Sequence, residues 1–185
     1  MKKLMVLMFV LGSTFSAKAQ AVNEVKINIL NTIVMASVEL GYEHFIDRDQ
    51  SVGVDLMLND RFFMLSESKK KGKKFKTNSV AVNYNFYFGG DNNENGSGYV
   101  VTPFLKYRFG DFEENKWDAE VEQTIKETTD MNSFIIGVGL GYKWVRNDSF
   151  AIQPFVNIGR NFSSDVNDRF WQIEPNIGVN LGYRF

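Results

Sequence analysis

Cysteine is absent from the 185 residues. That excludes disulfides, thiol nucleophiles, thiolate metal sites and a lipid anchor on an amino-terminal cysteine. Histidine occurs once, at His44, so there is no histidine cluster of the kind that holds a metal. No cofactor is expected. No stretch approaches the ~20 consecutive apolar residues of a spanning helix, and the mean hydropathy is -0.24. A convincing amphipathic helix is missing too. Against these absences, aromatic residues make up 15% of the chain, with 17 phenylalanines. Their number is the first feature that needs an explanation.

The chain opens on a short basic start, Met1, Lys2 and Lys3, followed by the apolar run "LMVLMFVL" (4–11). Ala17 and Ala19 then stand in an A-x-A arrangement. Basic, apolar and small-residue regions in that order read as a secretory signal peptide, residues 1–19, cut after Ala19. The expected mature protein, residues 20–185, is one exported domain. Losing Lys2, Lys3 and Lys18 takes its formal charge from -1 to -4.

The mature chain alternates apolar and polar residues in pieces of roughly ten residues, the length of a tilted membrane-spanning strand. Eight strands are expected, at 24–33, 38–46, 51–59, 79–89, 99–109, 133–145, 150–159 and 172–185. Turns "DRDQ" (47–50), "RNDS" (146–149) and "GDNNENGSG" (90–98) are polar and fairly short. Connections 60–78, 110–132 and 160–171 are longer, and a short apolar one lies near 34–37. With both termini on one side of a membrane, the polar turns share that side and the long connections share the other. This is the pattern of outer-membrane barrels.

Alternation alone does not say which face points inward, because a soluble barrel alternates too. The polar face carries Gly41, Gly53, Gly137, Gly139, Gly141, Gly178 and Gly182. Small residues suit the crowded interior of a narrow barrel and weaken a water-facing strand. The apolar face carries aromatics near strand ends, such as Phe86, Phe88, Tyr99, Tyr107, Phe109, Tyr142 and Trp144, which fit interfacial girdles. Charges Glu39, Glu43, Asp55, Lys106, Arg108, Lys143, Glu174 and Arg184 fall on the polar face with both signs present. They are expected to form a charge network in the lumen. The fold class is therefore all-β: an eight-stranded antiparallel up-and-down transmembrane β-barrel, apolar outside and polar within. Pro103, Pro154 and Pro175 count against it, since each removes a ladder donor, and rim or bulge positions are expected for them.

The chain ends "IEPNIGVNLGYRF". Ile177, Val179, Leu181, Tyr183 and the terminal Phe185 keep a strict period of two. This ending resembles the carboxy-terminal strand signature of outer-membrane barrels. The mature chain resembles small eight-stranded barrels of the OmpA-transmembrane and OmpX type. The opening "KINILN...VELGYEHF" is similar to a poorly characterised family of outer-membrane β-barrel proteins in Gram-negative bacteria. The resemblance implies that these five residues are read by the barrel-assembly machinery and that the last strand closes on the first. It implies location in the cell outer membrane, among lipid and lipopolysaccharide, and a monomer is expected.

Motifs with chemistry are few. Segment 60–78 carries net charge +5, with Lys69, Lys70, Lys71, Lys73, Lys74 and Lys76, and fits phosphates of lipopolysaccharide. Segment 110–130 carries net -6. Mutual pairing of the two segments is the simpler expectation. Nucleic acid is not an expected partner of an exported chain. "GVGLG" (137–141) has the wrong spacing for a dinucleotide fingerprint and lies within a strand. His44, in "EHFID", fits a rim residue better than a catalyst. The expected protein is a non-enzymatic barrel with a structural or surface-interaction role through outer loops 60–78 and 110–132. A lipid-modifying enzyme and a narrow channel for small solutes are the alternatives.

Overall fold

The structure is a computed structural model that describes residues 22–61, 72–90, 95–118 and 123–185. The expected signal peptide lies outside these residues. In chain order the elements are β1 (Asn23–Asn28), α1 (Ile29–Met35), β2 (Val38–Asp47), β3 (Gln50–Leu58), β4 (Lys74–Gly89), β5 (Gly98–Asp118), β6 (Gln123–Asp130), β7 (Ser133–Arg146), β8 (Phe150–Asn161), α2 (Ser164–Asn167) and β9 (Ile173–Arg184). Neighbouring strands pair antiparallel, β4–β5 and β1–β9 included. Eight strands thus form a closed ring of β1, β2, β3, β4, β5, β7, β8 and β9. The closing seam runs from Glu24↔Arg184 to Asn28↔Asn180. Asn23 and Phe185 exchange both backbone hydrogen bonds, at 3.0 and 2.9 Å. The final residue is therefore part of the wall.

Two secondary-structure expectations need correction. The first strand ends at Asn28, and residues 29–35 form a helix. Asn28 adopts extended geometry and its side chain accepts from the Asn31 N–H, as a helix N-cap does. Ala36, with φ 50°, ends the turn in the left-handed region. The segment 110–132 is mostly strand. β5 runs on to Asp118 and pairs with β6 from Asp111↔Asp130 to Asp118↔Gln123. The nine residues of β5 from Gly110 to Asp118 span about 30 Å, at about 3.3 Å each; the first four still pair with β4, from Thr77↔Gly110 to Lys74↔Glu113, and the rest pair with β6 alone. In the connection 60–78, β4 begins at Lys74.

Side chains sort as the alternation requires. On β8, Phe150, Ile152, Pro154, Val156, Ile158 and Arg160 face outward. From Phe150 to Arg160, ten steps of about 3.3 Å tilted by about 40° span roughly 25 Å, the height of a membrane barrel's apolar band. The band is bounded on the hairpin side by Arg160, Lys76 and Asp111, and on the turn side by Arg146 and the His44–Asn23 pair. Exposed aromatics Trp144, Tyr99, Phe88 and Tyr183 lie near its turn-side edge, which accounts for the aromatic excess.

Pro103 and Pro154 lie mid-strand, away from rims and bulges. Each leaves two residue pairs out of the ladder, between Asn83↔Phe104 and Phe86↔Val101 and between Gly141↔Phe155 and Trp144↔Ile152, with no register change. Pro175 lies beyond the last β1–β9 pair, where β1 has given way to α1.

Lumen glycines make room for two inward phenylalanines. A methyl group at Gly178 would overlap the Phe155 ring, and one at Gly137 the Phe104 ring. Gly178→Ala should lower barrel stability by about 1–3 kcal/mol, the usual cost of overpacking, in urea unfolding followed by gel mobility. Membrane depth is checked with brominated lipids. With Trp117 and Trp171 changed to Phe, Trp144 should be quenched strongly; with Trp144 and Trp171 changed, Trp117 on the hairpin should be spared.

Candidate functional site in the lumen and the outer hairpin

The lumen is layered. At the turn end, Glu24, Glu43, Lys143 and Arg184 meet at the seam, each at most 2% exposed. Lys143 Nζ lies 3.1 Å from both Glu24 oxygens and 2.9 Å from Glu43 Oε2. Ser51 and Tyr87 hydroxyls donate to Glu43 Oε1 at 2.6 and 2.5 Å. Arg184 reaches Glu24 at 3.5 Å and Asp148 at 3.2 Å, and donates to the Asn95 carbonyl at 2.6 Å. Phe45 packs under both cations, 4.6 Å from the Arg184 guanidinium and 5.5 Å from Lys143 Nζ. Charges buried this deeply need each other, because an unpaired ion in low dielectric is expensive.

A second charged layer sits at the hairpin end. Arg108, fully buried, makes a bidentate pair with Glu174 at 2.8 and 2.6 Å and bonds to Asp60 at 3.1 Å. Lys106 Nζ lies 2.6 Å from the same Asp60 oxygen. Above this layer Phe75, Phe112, Met131 and Val166 form a small apolar core joined by Phe170.

Between the layers lies a cavity of about 70 Å³ that adjoins a second of about 30 Å³. Lys26 and Asp55 pair there at 3.4 Å. Glu39 faces both cavities. Its Oε2 accepts from the amides of Asn28 and Asn31 at 3.0 and 3.1 Å.

Of the eight charges expected in the lumen, all face inward. Glu43, Asp55, Lys106, Arg108, Lys143, Glu174 and Arg184 take part in ion pairs, and Glu39 bonds to amides. Sequence reasoning missed Glu24, Lys26, Asp60 and Asp148. Glu24 and Lys26 were readable, since they alternate with Val25 and Ile27 on β1. Asp60 was not. Inward positions on β3 run Ser51, Gly53, Asp55, Met57, and strict alternation would continue to position 59. Asn59 instead has φ 58° and turns Asp60 inward.

Outside the barrel the basic and acidic segments do pair. Lys73 meets Glu114 at 3.4 Å, and Lys76 and Lys126 meet Glu113 at 2.7 and 2.8 Å. Hydrogen bonds from Lys126 and Lys76 hold the half-buried Glu113 carboxyl below its usual range. These contacts stand above the ordinary carboxylate pKa and are lost as pH falls through the lowered value. Arg169 joins Glu114 and Thr129 and covers the Phe112 ring at 5.6 Å. Lys74 faces outward, and Lys69, Lys70 and Lys71 lie outside the described residues. His44 Nδ1 and the Tyr42 hydroxyl share Asn23 Oδ1 at 2.9 and 2.7 Å on the outer surface near the turn side. Glycines of "GVGLG" sit inside β7, as expected for lumen spacers.

The family model described as "Protein of unknown function (DUF3575)" matches residues 4–179. The chain belongs to this family. No curated protein matches it. Among solved structures it is similar to Ail, the attachment invasion locus protein of Yersinia pestis, at 14% identity and TM-score 0.52, covering 90% of this chain and 100% of that one. It is also similar to the N-terminal β-barrel domain of Pseudomonas aeruginosa OprF, at 12% and 0.47, with 88% and 96% covered. A third is Neisserial surface protein A, at 11% and 0.42, with 88% and 94% covered. The likeness to Ail supports the fold this DUF3575 chain adopts, a small closed eight-stranded β-barrel.

Removing Lys143 tests the turn-end layer. Lys143→Met leaves Glu24 and Glu43 buried together and should cost about 3–5 kcal/mol of stability. Adding Glu43→Gln should restore part of that loss in the same unfolding measurement.

Proposed function

We propose that this DUF3575 protein is a non-enzymatic integral protein of the cell outer membrane with a structural or surface-interaction role. It is exported by a cleaved leader, residues 1–19, and residues 20–185 form the barrel domain. Ile177, Val179, Leu181, Tyr183 and Phe185 serve as the signal read by the barrel-assembly machinery. The single observation carrying the reading is the β5–β6 hairpin, which extends past an apolar band of membrane height. A rigid, charged two-stranded arm outside the bilayer is a contact surface. Lys73, Lys74 and Lys76 border its base, and together with Lys69, Lys70 and Lys71 of the same basic run they are the contacts for lipopolysaccharide phosphates. The protein works as a monomer, since the closed ring leaves no barrel edge to pair.

The alternatives fit less well. His44 Nδ1 is engaged by Asn23 on the turn side, away from the outer leaflet where a lipid-modifying enzyme would act. The buried Lys143 layer fills the turn end, which opposes a channel.

The natural lack of cysteine makes orientation measurable. Thr124→Cys on the hairpin and Ser149→Cys in the β7–β8 turn are each expressed and exposed, on intact cells, to a membrane-impermeant maleimide. Labelling of Thr124→Cys alone, in a protein recovered with outer membranes and shifting on gels after boiling, is expected. Removal of Phe185 should reduce that recovery several-fold. Labelling of Ser149→Cys alone reverses the orientation, and recovery as a soluble protein sinks the reading.

A further inference from the structure

We propose that the cavity between the two charged layers binds a small monovalent cation, with Glu39 as its anionic ligand. Glu39 is 7% exposed. Its ion-pairing options are used elsewhere: Lys26 pairs with Asp55 and Glu43, Lys106 with Asp60, and Arg108 with Asp60 and Glu174. Among the described residues no cation lies within ion-pair distance of Glu39. Both amide donors go to Oε2, so Oε1 is left for the cavity.

The surroundings favour a cation over an anion or an apolar guest. Glu39, Asp55, Asn83, Thr102 and Asn157 line both cavities, a set of oxygens suited to a hard cation or an ammonium. Asn31 orients the site. Its Nδ2 donates to Glu39 at 3.1 Å and to Asn176 Oδ1 at 3.0 Å. A carboxylate only accepts, so the Asn31 nitrogen must point toward Glu39 and its oxygen away. That Asn31 oxygen, and the Gln153 oxygen in the adjoining cavity, have no hydrogen-bond partner. Arg61 and Lys106 also line the larger cavity and Lys26 the smaller, with Lys26 and Lys106 held in their own ion pairs. A buried carboxylate facing those unpartnered oxygens, with no counter-ion, is costly. A cation with a few waters fits the volume and removes that cost.

Two sources share this chemistry, an inorganic alkali ion and a primary ammonium group. The test uses the folded full-length mature protein in detergent, with unfolding temperature titrated against potassium, rubidium, methylammonium and choline chlorides at fixed ionic strength. Choline is too large for the cavity and serves as the reference. The wild type should gain stability with potassium and rubidium, or with methylammonium, above the choline baseline. The salt that acts identifies the source. Glu39→Gln keeps an acceptor for Asn28 and Asn31 and places an amide donor toward the cavity. It should fold and lose at least tenfold in apparent affinity. Rubidium-soaked wild-type crystals add a reading that needs no variant, an anomalous peak beside Glu39 if the alkali ion is the ligand. Equal response to all salts, an undiminished response in Glu39→Gln, or a rubidium peak away from Glu39 overturns the proposal.

Discussion

A backbone that crosses lipid must satisfy every N–H and C=O within itself. The rest of this structure follows from that constraint. It requires β9 to find β1, so the chain keeps its period of two to Phe185, whose backbone bonds to Asn23. It also explains how a six-residue β1 can stand beside strands of 10 and 12 residues. Where β1 stops, α1 begins, and a helix pairs its own backbone. Asn28 manages the change: Oδ1 accepts from the Asn31 and Val179 N–H groups, and Nδ2 holds Glu39. Proline is admitted where the register continues unchanged on both sides of the missing bonds, as at Pro103 and Pro154.

Closing a ring of eight strands leaves an interior just wide enough for side chains, and this sets the second level of organisation. Phe104 and Phe155 reach inward because Gly137 and Gly178 leave space opposite. The remaining volume is polar, and burial forces its charges into pairs. Their placement ties the seam together. Glu24 comes from β1, Glu43 from β2, Lys143 from β7 and Arg184 from β9. Ion pairs across the lumen therefore fasten the strands that meet last when the barrel closes. Buried ion pairs are weak sources of net stability, yet they make any misregistered closure costly, because a two-residue slip at the seam would strand a charge.

Alternation on β2, β3, β7, β8 and β9 was legible because one face meets lipid and the other meets buried charge, so the two differ sharply. Inside and outside could be told apart by glycine and aromatic placement for the same reason. Legibility failed where that contrast fails. In "NKW" (115–117) and "QTIK" (123–126) both faces of the β5–β6 hairpin meet water, no apolar row appears, and strand looks like loop. "NILNTI" alternates well enough to pass as strand, and only the cap geometry at Asn28 and the left-handed Ala36 reveal a helix turn. The inward Asp60 depends on one positive φ at Asn59. Pairing between Lys76 and Glu113 was suggested by opposite charge, but the partners depend on the β4–β5–β6 register.

The two ends of the lumen are unlike. At the turn end, Phe45, Tyr87 and Val100 pack with the Lys143 and Arg184 layer, and side chains fill the space. Toward the hairpin end the charges are paired but a cavity remains, reaching Met35 of α1 and Arg61 beside β3. A barrel needed only as a membrane anchor would gain from filling that space, since packed side chains contribute dispersion that a void forfeits. The void persists beside Glu39, which has acceptor neighbours and no ion pair, and beside the one wall segment built as a helix. Asn31 links all three: it belongs to α1, faces the cavity and donates to Glu39. The hairpin end thus carries both features that closure alone does not require, a charged arm outside and an acceptor-rich cavity within.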